Sequence, residues 1–338
     1  MSDTEPSTLP QELVGVPKED TAEVKDLLED TRIKYRECLA PIIVERDKLD
    51  PRVLEFEDQL QRLNKDRADF YGREYSPPEI YYVDRAKAWY KSVEINRRIK
   101  AIHKSLPRFD RGASGYIDII HICIIFVHNF DDPEVDGWDN CRKLRHELSH
   151  AGSVRKHRVY PNKKGTFTYN SYRLGAQILS NKRGFRRLGL AIDEGHHAIE
   201  DEIFEGLHPE LLEQDENLKS LPNGQQLFPG AKQKYEQLRQ QAIQQGEIKQ
   251  GQMLVTYRRS ILMTKIGIAE LYGDYSKLML MIYQRKPELF KLVRDFIYGD
   301  KIVTFTKEVE QLFSKGFFQK LMVAENRETT IELIKELE

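Results

Sequence analysis

His146 and His150 bracket Glu147 in the segment His146-Glu147-Leu148-Ser149-His150. On a helix, residues four apart lie one turn above each other on the same face, so the two imidazoles converge on one point. A zinc ion takes two imidazoles from such a pair, and a carboxylate beside them serves as general base toward water that the metal activates. A catalytic zinc uses three protein ligands and keeps one position open, so a third ligand is expected downstream. Glu194, in Ala191-Ile192-Asp193-Glu194-Gly195-His196-His197, is the candidate. His197 follows one turn after Glu194 on the same face. It is expected to hydrogen-bond a ligand or to stabilise an oxyanion, and is carried as a candidate catalytic residue.

These residues need two helices to hold them. Trp138, Cys141, Leu144, Leu148 and Ala151 recur at helical spacing and predict a helix over residues 137–151, its apolar stripe nearly opposite the histidines. Leu188, Ala191, Ile192, Gly195, Ile199 and Ile203 predict a second helix over 188–205, with Glu194, His197 and Asp201 on its other face. Between the two, Pro161-Asn162, Gly165, Gly175 and Gly184 separate short β-type runs and predict hairpins or loops. The run from Ile117 to Val127 is β-branched and has no helical polar face, which predicts a buried strand, with or without a bend, just before the motif helix. Residues 21–107 are helical in pattern, broken by Pro51 and Pro77-Pro78 into three helices.

The resulting expectation is an α+β, mainly helical protein with a small sheet beside the motif helix. Its parts are a flexible acidic tail (1–20), a helical N-terminal region (21–110), a metal-binding core (111–210) and a helical C-terminal subdomain (211–338) packed on that core.

Composition narrows the class. Hydrophobic residues make up 40% of the chain, enough for a real core, and the net charge is −1, so no global field draws it to nucleic acid or membrane. Three cysteines without a paired spacing form neither a disulfide framework nor a cysteine-type zinc site. The polar, acidic N-terminus lacks the basic and apolar regions of a signal peptide, and no apolar run is long enough to span a bilayer. A cytoplasmic location is therefore expected.

The histidine motif, the Gly- and β-rich stretch through Tyr169-Asn170-Ser171-Tyr172-Arg173-Leu174-Gly175, and the segment Leu190 to Ile203 together resemble the gluzincin type of zincin metallopeptidase. The likeness covers roughly residues 115–205 and loosely 255–315. It implies His146, His150 and Glu194 as zinc ligands and Glu147 as general base. It also implies hydrolysis of a peptide or protein substrate, with residues 117–127 supplying a cleft-edge strand that pairs with extended peptide. Two features depart from the better-known branches: the interval from His150 to Glu194 is longer than in thermolysin-like enzymes, and no histidine follows Gly152 at the metzincin third-ligand position. Tyr172 and Arg186 are carried as candidate substrate-binding residues.

Two rival readings come from the same residues. Glu147-x-x-His150 and Glu194-x-x-His197 form the paired motif of di-iron carboxylate bundles, which also need a glutamate from each of two further helices. Residues 151–190 carry Arg155, Lys156, Arg158, Lys163, Lys164, Arg173, Lys182, Arg183, Arg186 and Arg187 with no acid. A metal-stabilised or metal-free scaffold that binds a partner through this basic region is the non-catalytic reading. A fourth protein ligand closing the site, such as His197 or Asp201, would favour it.

Overall fold

Asp132 starts the motif helix. Its side chain accepts from the backbone N–H groups of Glu134 (3.0 Å) and Val135 (3.4 Å), and Pro133 occupies the first turn, where no N–H is needed. The resulting helix α4 runs Pro133–Gly152, four residues earlier than the apolar spacing alone indicates. The structure is a computed structural model that describes residues 22–102, 109–110, 115–117, 121–161, 167–180, 186–246, 271 and 273–338. The expected acidic tail over 1–20 lies outside the described residues.

The chain is mainly helical, with two small sheets among the described residues. Before α4 come α1 (Ala22–Leu39), α2 (Pro51–Phe70), β1 (Glu79–Asp84), α3 (Arg85–Ile102), β2 (Gly115–Ile117) and β3 (Ile122–Val127). After it come β4 (Arg155–Pro161), β5 (Phe167–Leu174), β6 (Gln177–Ser180), β7 (Arg186–Leu188) and α5 (Leu190–Phe204). The described residues beyond it form the helices α6 (Pro209–Leu212), α7 (Glu216–Lys219), α8 (Gly224–Leu227), α9 (Ala231–Gly246), α10 (residues 273–285), α11 (Glu288–Gly299), α12 (Ile302–Leu312), α13 (Phe317–Met322) and α14 (Arg327–Leu337).

The first sheet has the order β1-β3-β2, with β1 parallel and β2 antiparallel to β3. Ile122, Ile124 and Phe126 of β3 face a core shared with α1 and α3. Cys123 and Ile125 face the opposite way, into a core shared with α2 and α4. Both faces are covered, which is why the run is apolar without alternation. The second sheet is an antiparallel meander, β4-β5-β6-β7, as the glycine- and turn-rich sequence predicts. A third core joins α5 to the helices from α10 onward.

Three expectations change. The run 117–127 is not one strand: β2 and β3 pair antiparallel, with Ile117 opposite Cys123, and His121 sits in the left-handed region (φ 66°) just before β3. Consequently residues 117–127 do not supply a cleft-edge strand. β3 is central, paired on both sides, and the edge strands are β1 and β2, the latter at residues 115–117. The N-terminal region is not wholly helical and not separate. Its residues 79–84 form β1, so a boundary at 110 would cut the sheet. Its α2 packs directly on α4, where Asn64 Nδ2 donates to the Leu148 carbonyl at 2.6 Å.

Candidate metal centre

α4 and α5 pack so that His146, His150 and Glu194 bring one ligand atom each within 4.8 Å of one another. Nε2 of His146 lies 3.8 Å and Nε2 of His150 3.5 Å from Glu194 Oε2. The two imidazole side chains retain 21% and 19% exposure, so the site is partly open to solvent, while Glu194 is buried.

The far nitrogen of each imidazole meets a carboxylate. His146 Nδ1 is 2.8 Å from Asp201 Oδ2, and His150 Nδ1 is 3.5 Å from Asp193 Oδ2. A carboxylate on Nδ1 fixes ring orientation and leaves Nε2 as the coordinating atom, the usual support for metal-bound histidine. Asp193 is itself held: its Oδ1 accepts from the Ala176 N–H (2.8 Å) and its Oδ2 from Gln177 Nε2 (2.7 Å). The preceding Gly175, at φ 56°, is where the β5–β6 turn meets Asp193. A Cβ there would stand 2.1 Å from Asp193 Oδ1, so turn and carboxylate fit only because this residue is glycine. Asp201 is held from the other side by Arg145 Nη1 at 2.8 Å.

The donor set fits a divalent cation. Glu194 Oε2 is buried and has no hydrogen-bond partner, although a buried carboxylate oxygen nearly always has one. Burial disfavours the charged forms throughout the site. Even so, Asp201 raises the His146 pKa, and Glu194 with Asp193 raises that of His150 well above its ordinary value. The same contacts overcome burial to hold Glu194 below the usual carboxylate range and Asp193 at about 2. The electrostatics therefore favour positive charge between these side chains, whether carried by protons or by a metal. Asp201→Asn is expected to lower zinc affinity about 10- to 100-fold without altering the fold, read by competition against a chromophoric chelator.

Glu147 neighbours the two histidines on α4, only 9% exposed, and burial pushes its pKa up. The sheet edge lies against it: a Cβ on Gly115 of β2 would stand 2.8 Å from Glu147 Cγ and 3.1 Å from Oε1. His197 is fully buried. Its Nδ1 lies 3.4 Å from Glu200 Oε2, its ring centroid is 4.2 Å from that of His150, and its Nε2 has no hydrogen-bond partner. That location is behind the ligands, among groups that could orient them, and away from solvent. With His150 and Asp193 it forms a second triad of ligand-type side chains. Tyr172 lies on β5 and Arg186 on β7, but their side chains, like the basic side chains of residues 155–173, lie outside the described residues.

Sequence reasoning did not give Asp193, Gln177, Arg145 or Gly115 a role, and it weighed Asp201 only as a closing fourth ligand. An acid seven residues after Glu194 on the same helix was the available signal for Asp201. Comparison of the chain with protein-family models, with curated proteins and with solved structures finds no match. Among the described residues, no helix is long and apolar enough to cross a membrane.

Proposed function

We propose that this protein is a zinc-dependent metallopeptidase in which His146, His150 and Glu194 hold the metal and Glu147 is the general base. The observation that carries the reading is the pair of carboxylates, Asp201 and Asp193, each facing the Nδ1 of a motif histidine. Chance placement of a surface His-x-x-x-His pair does not account for two orienting carboxylates on a facing helix, Asp193 buried and Asp201 with 16% of its side chain exposed.

Zinc held there would lower the pKa of water to about 7 and polarise a substrate carbonyl. Glu147 takes the proton as water attacks and delivers it to the departing amine. Its buried position beside β2 keeps it where the sheet edge would align an extended peptide. Asp193 and Asp201 keep each imidazole in the tautomer that presents Nε2.

The ligand group supports an enzyme over a closed scaffold site. It contains three residues; of the two candidates for a fourth, Asp201 is engaged by His146 Nδ1 and Arg145, and His197 falls in a separate group with His150 and Asp193. The di-iron reading lacks support: among the described residues only α4 and α5 contribute to groups of metal-ligand type, and α2 presents Arg67 and Asn64 toward them in place of carboxylates.

Elemental analysis of protein purified without chelator or affinity metal tests the proposal. About one zinc per chain is expected, with loss of most of it in Glu194→Ala. Two irons per chain would turn the reading to a carboxylate bundle. Absence of any metal after incubation with zinc would reject it.

A further inference from the structure

Arg145, which anchors Asp201, also lines a cavity of about 220 Å3 that contains none of the candidate metal ligands. Phe56, Phe204, Leu212 and Leu218 form much of its wall, and Lys219 lies on it. Arg145 and Lys219 are the only charged residues among those lining it. We propose that this cavity is a binding site for a medium-chain monocarboxylate, the alkyl chain against the apolar wall and the carboxylate on Arg145 and Lys219.

Size sets the class. At about 220 Å3 the space lies below the range of pockets for drug-sized ligands and suits a short alkyl chain of about six to eight carbons. Charge sets the head group. A carboxylate taken out of water needs charged donors. The Arg145 guanidinium has five N–H donors. One bonds Asp201 and another approaches Glu200 Oε2 at 3.3 Å, which leaves donors over. Lys219 Nζ contacts Glu213 and Glu216 at 2.8 Å, both partners well exposed, so its flexible ammonium can turn toward the cavity.

The lining also argues against a peptide. The oxygens of its neutral polar side chains, Asn223 and Gln226, each already accept a backbone N–H in the capping box of α8. A buried peptide N–H would therefore find no side-chain oxygen here without a partner already, and its burial without a partner is costly. An occupant would touch the arginine that holds Asp201, two contacts from His146.

The test uses the full chain in metal-free buffer, so that it stands apart from the zinc reading. Isothermal titration with sodium octanoate should show one site with a Kd of about 1 mM or tighter. Octylammonium and 1-octanol should bind at least about tenfold more weakly, for want of a charge-assisted hydrogen bond. Leu218→Trp, which fills the cavity, should abolish binding with an unchanged circular dichroism spectrum. Lys219→Met, at the more exposed cation, should weaken it several-fold and serves if Leu218→Trp does not fold. No binding of octanoate, equal binding of octanol, indifference to both substitutions, or tighter binding of acetyl-glycyl-leucine would each overturn the proposal.

Discussion

Glu147→Gln is expected to retain the metal and lose about 10²- to 10⁴-fold in kcat/KM on any peptide the wild type cleaves. The amide keeps the size and most of the packing of the carboxylate, so β2 and its Gly115 contact stay in place. What disappears is the ability to accept a proton. Burial raises the Glu147 pKa, so the carboxylate is more basic than an exposed glutamate, which favours proton transfer from water. The readouts are zinc content and turnover, measured on the same preparation. Zinc at the wild-type level with turnover near background is the expected pair. Retained turnover would remove Glu147 from the chemistry. Zinc lost together with turnover would make it a ligand and displace one of the three residues assigned to that role.

The motif helix and α5 were legible in the sequence because each carries a local pattern. Trp138, Cys141, Leu144, Leu148 and Ala151 mark one face of α4, and all are buried in one core with α2 and the first sheet. Ala191, Ile192, Ile199 and Ile203 do the same for α5. With both stripes fixed, the faces bearing His146, His150 and Glu194 followed, and the structure brings those three residues together. The sheet was less legible. Ile117 to Val127 is uniformly apolar because β3 is covered on both faces, and such a run does not reveal where the chain reverses. β1 was overlooked because Pro77-Pro78 and the helical pattern of α3 frame it closely. Its Ile80-Tyr81-Tyr82-Val83 is nevertheless rich in β-branched and aromatic residues, a signal for a strand.

Other parts of the site had no local signal at all. Gln177 reaches Asp193 across the β5–β6 turn, and nothing in its neighbours marks it. Arg67 is the extreme case, since its carboxylate partners lie 133 and 148 residues away in the chain. Periodicity reports which face of a helix is apolar. It does not report which buried charge will find which partner, because that is decided only when the cores have closed.

Arg67 is where the N-terminal region and the candidate metal centre become one unit, and Arg67→Ala is expected to cost about 3–5 kcal/mol of stability. The guanidinium is 2% exposed. It donates to Glu200 Oε1 at 3.3 Å and to Asp215 Oδ2 at 3.2 Å, and stacks 4.5 Å from the Tyr298 ring centroid. Both carboxylates are fully buried. Each has one further arginine, Arg145 for Glu200 and Arg294 for Asp215. Asp215 also caps α7 through the N–H groups of Asn217 and Leu218. Burial alone would push Glu200 toward its neutral form, yet Arg67 and Arg145 hold it well below the usual carboxylate range. Removing Arg67 leaves two buried carboxylates sharing fewer cations, and the penalty is that of uncompensated buried charge. Urea unfolding should show the loss as a lower midpoint at unchanged slope. Arg67→Met combined with Glu200→Gln should be less destabilised than the two single changes added together, because the double variant removes charge of both signs. Arg98→Ala, which breaks only the exposed pair with Glu94, should leave the midpoint where it is. If Arg67→Ala behaved like Arg98→Ala, the buried network would not be what ties α2 to α5. If it instead lowered stability and zinc affinity together, the same arginine would support the fold and, through Glu200, Arg145 and Asp201, the orientation of His146.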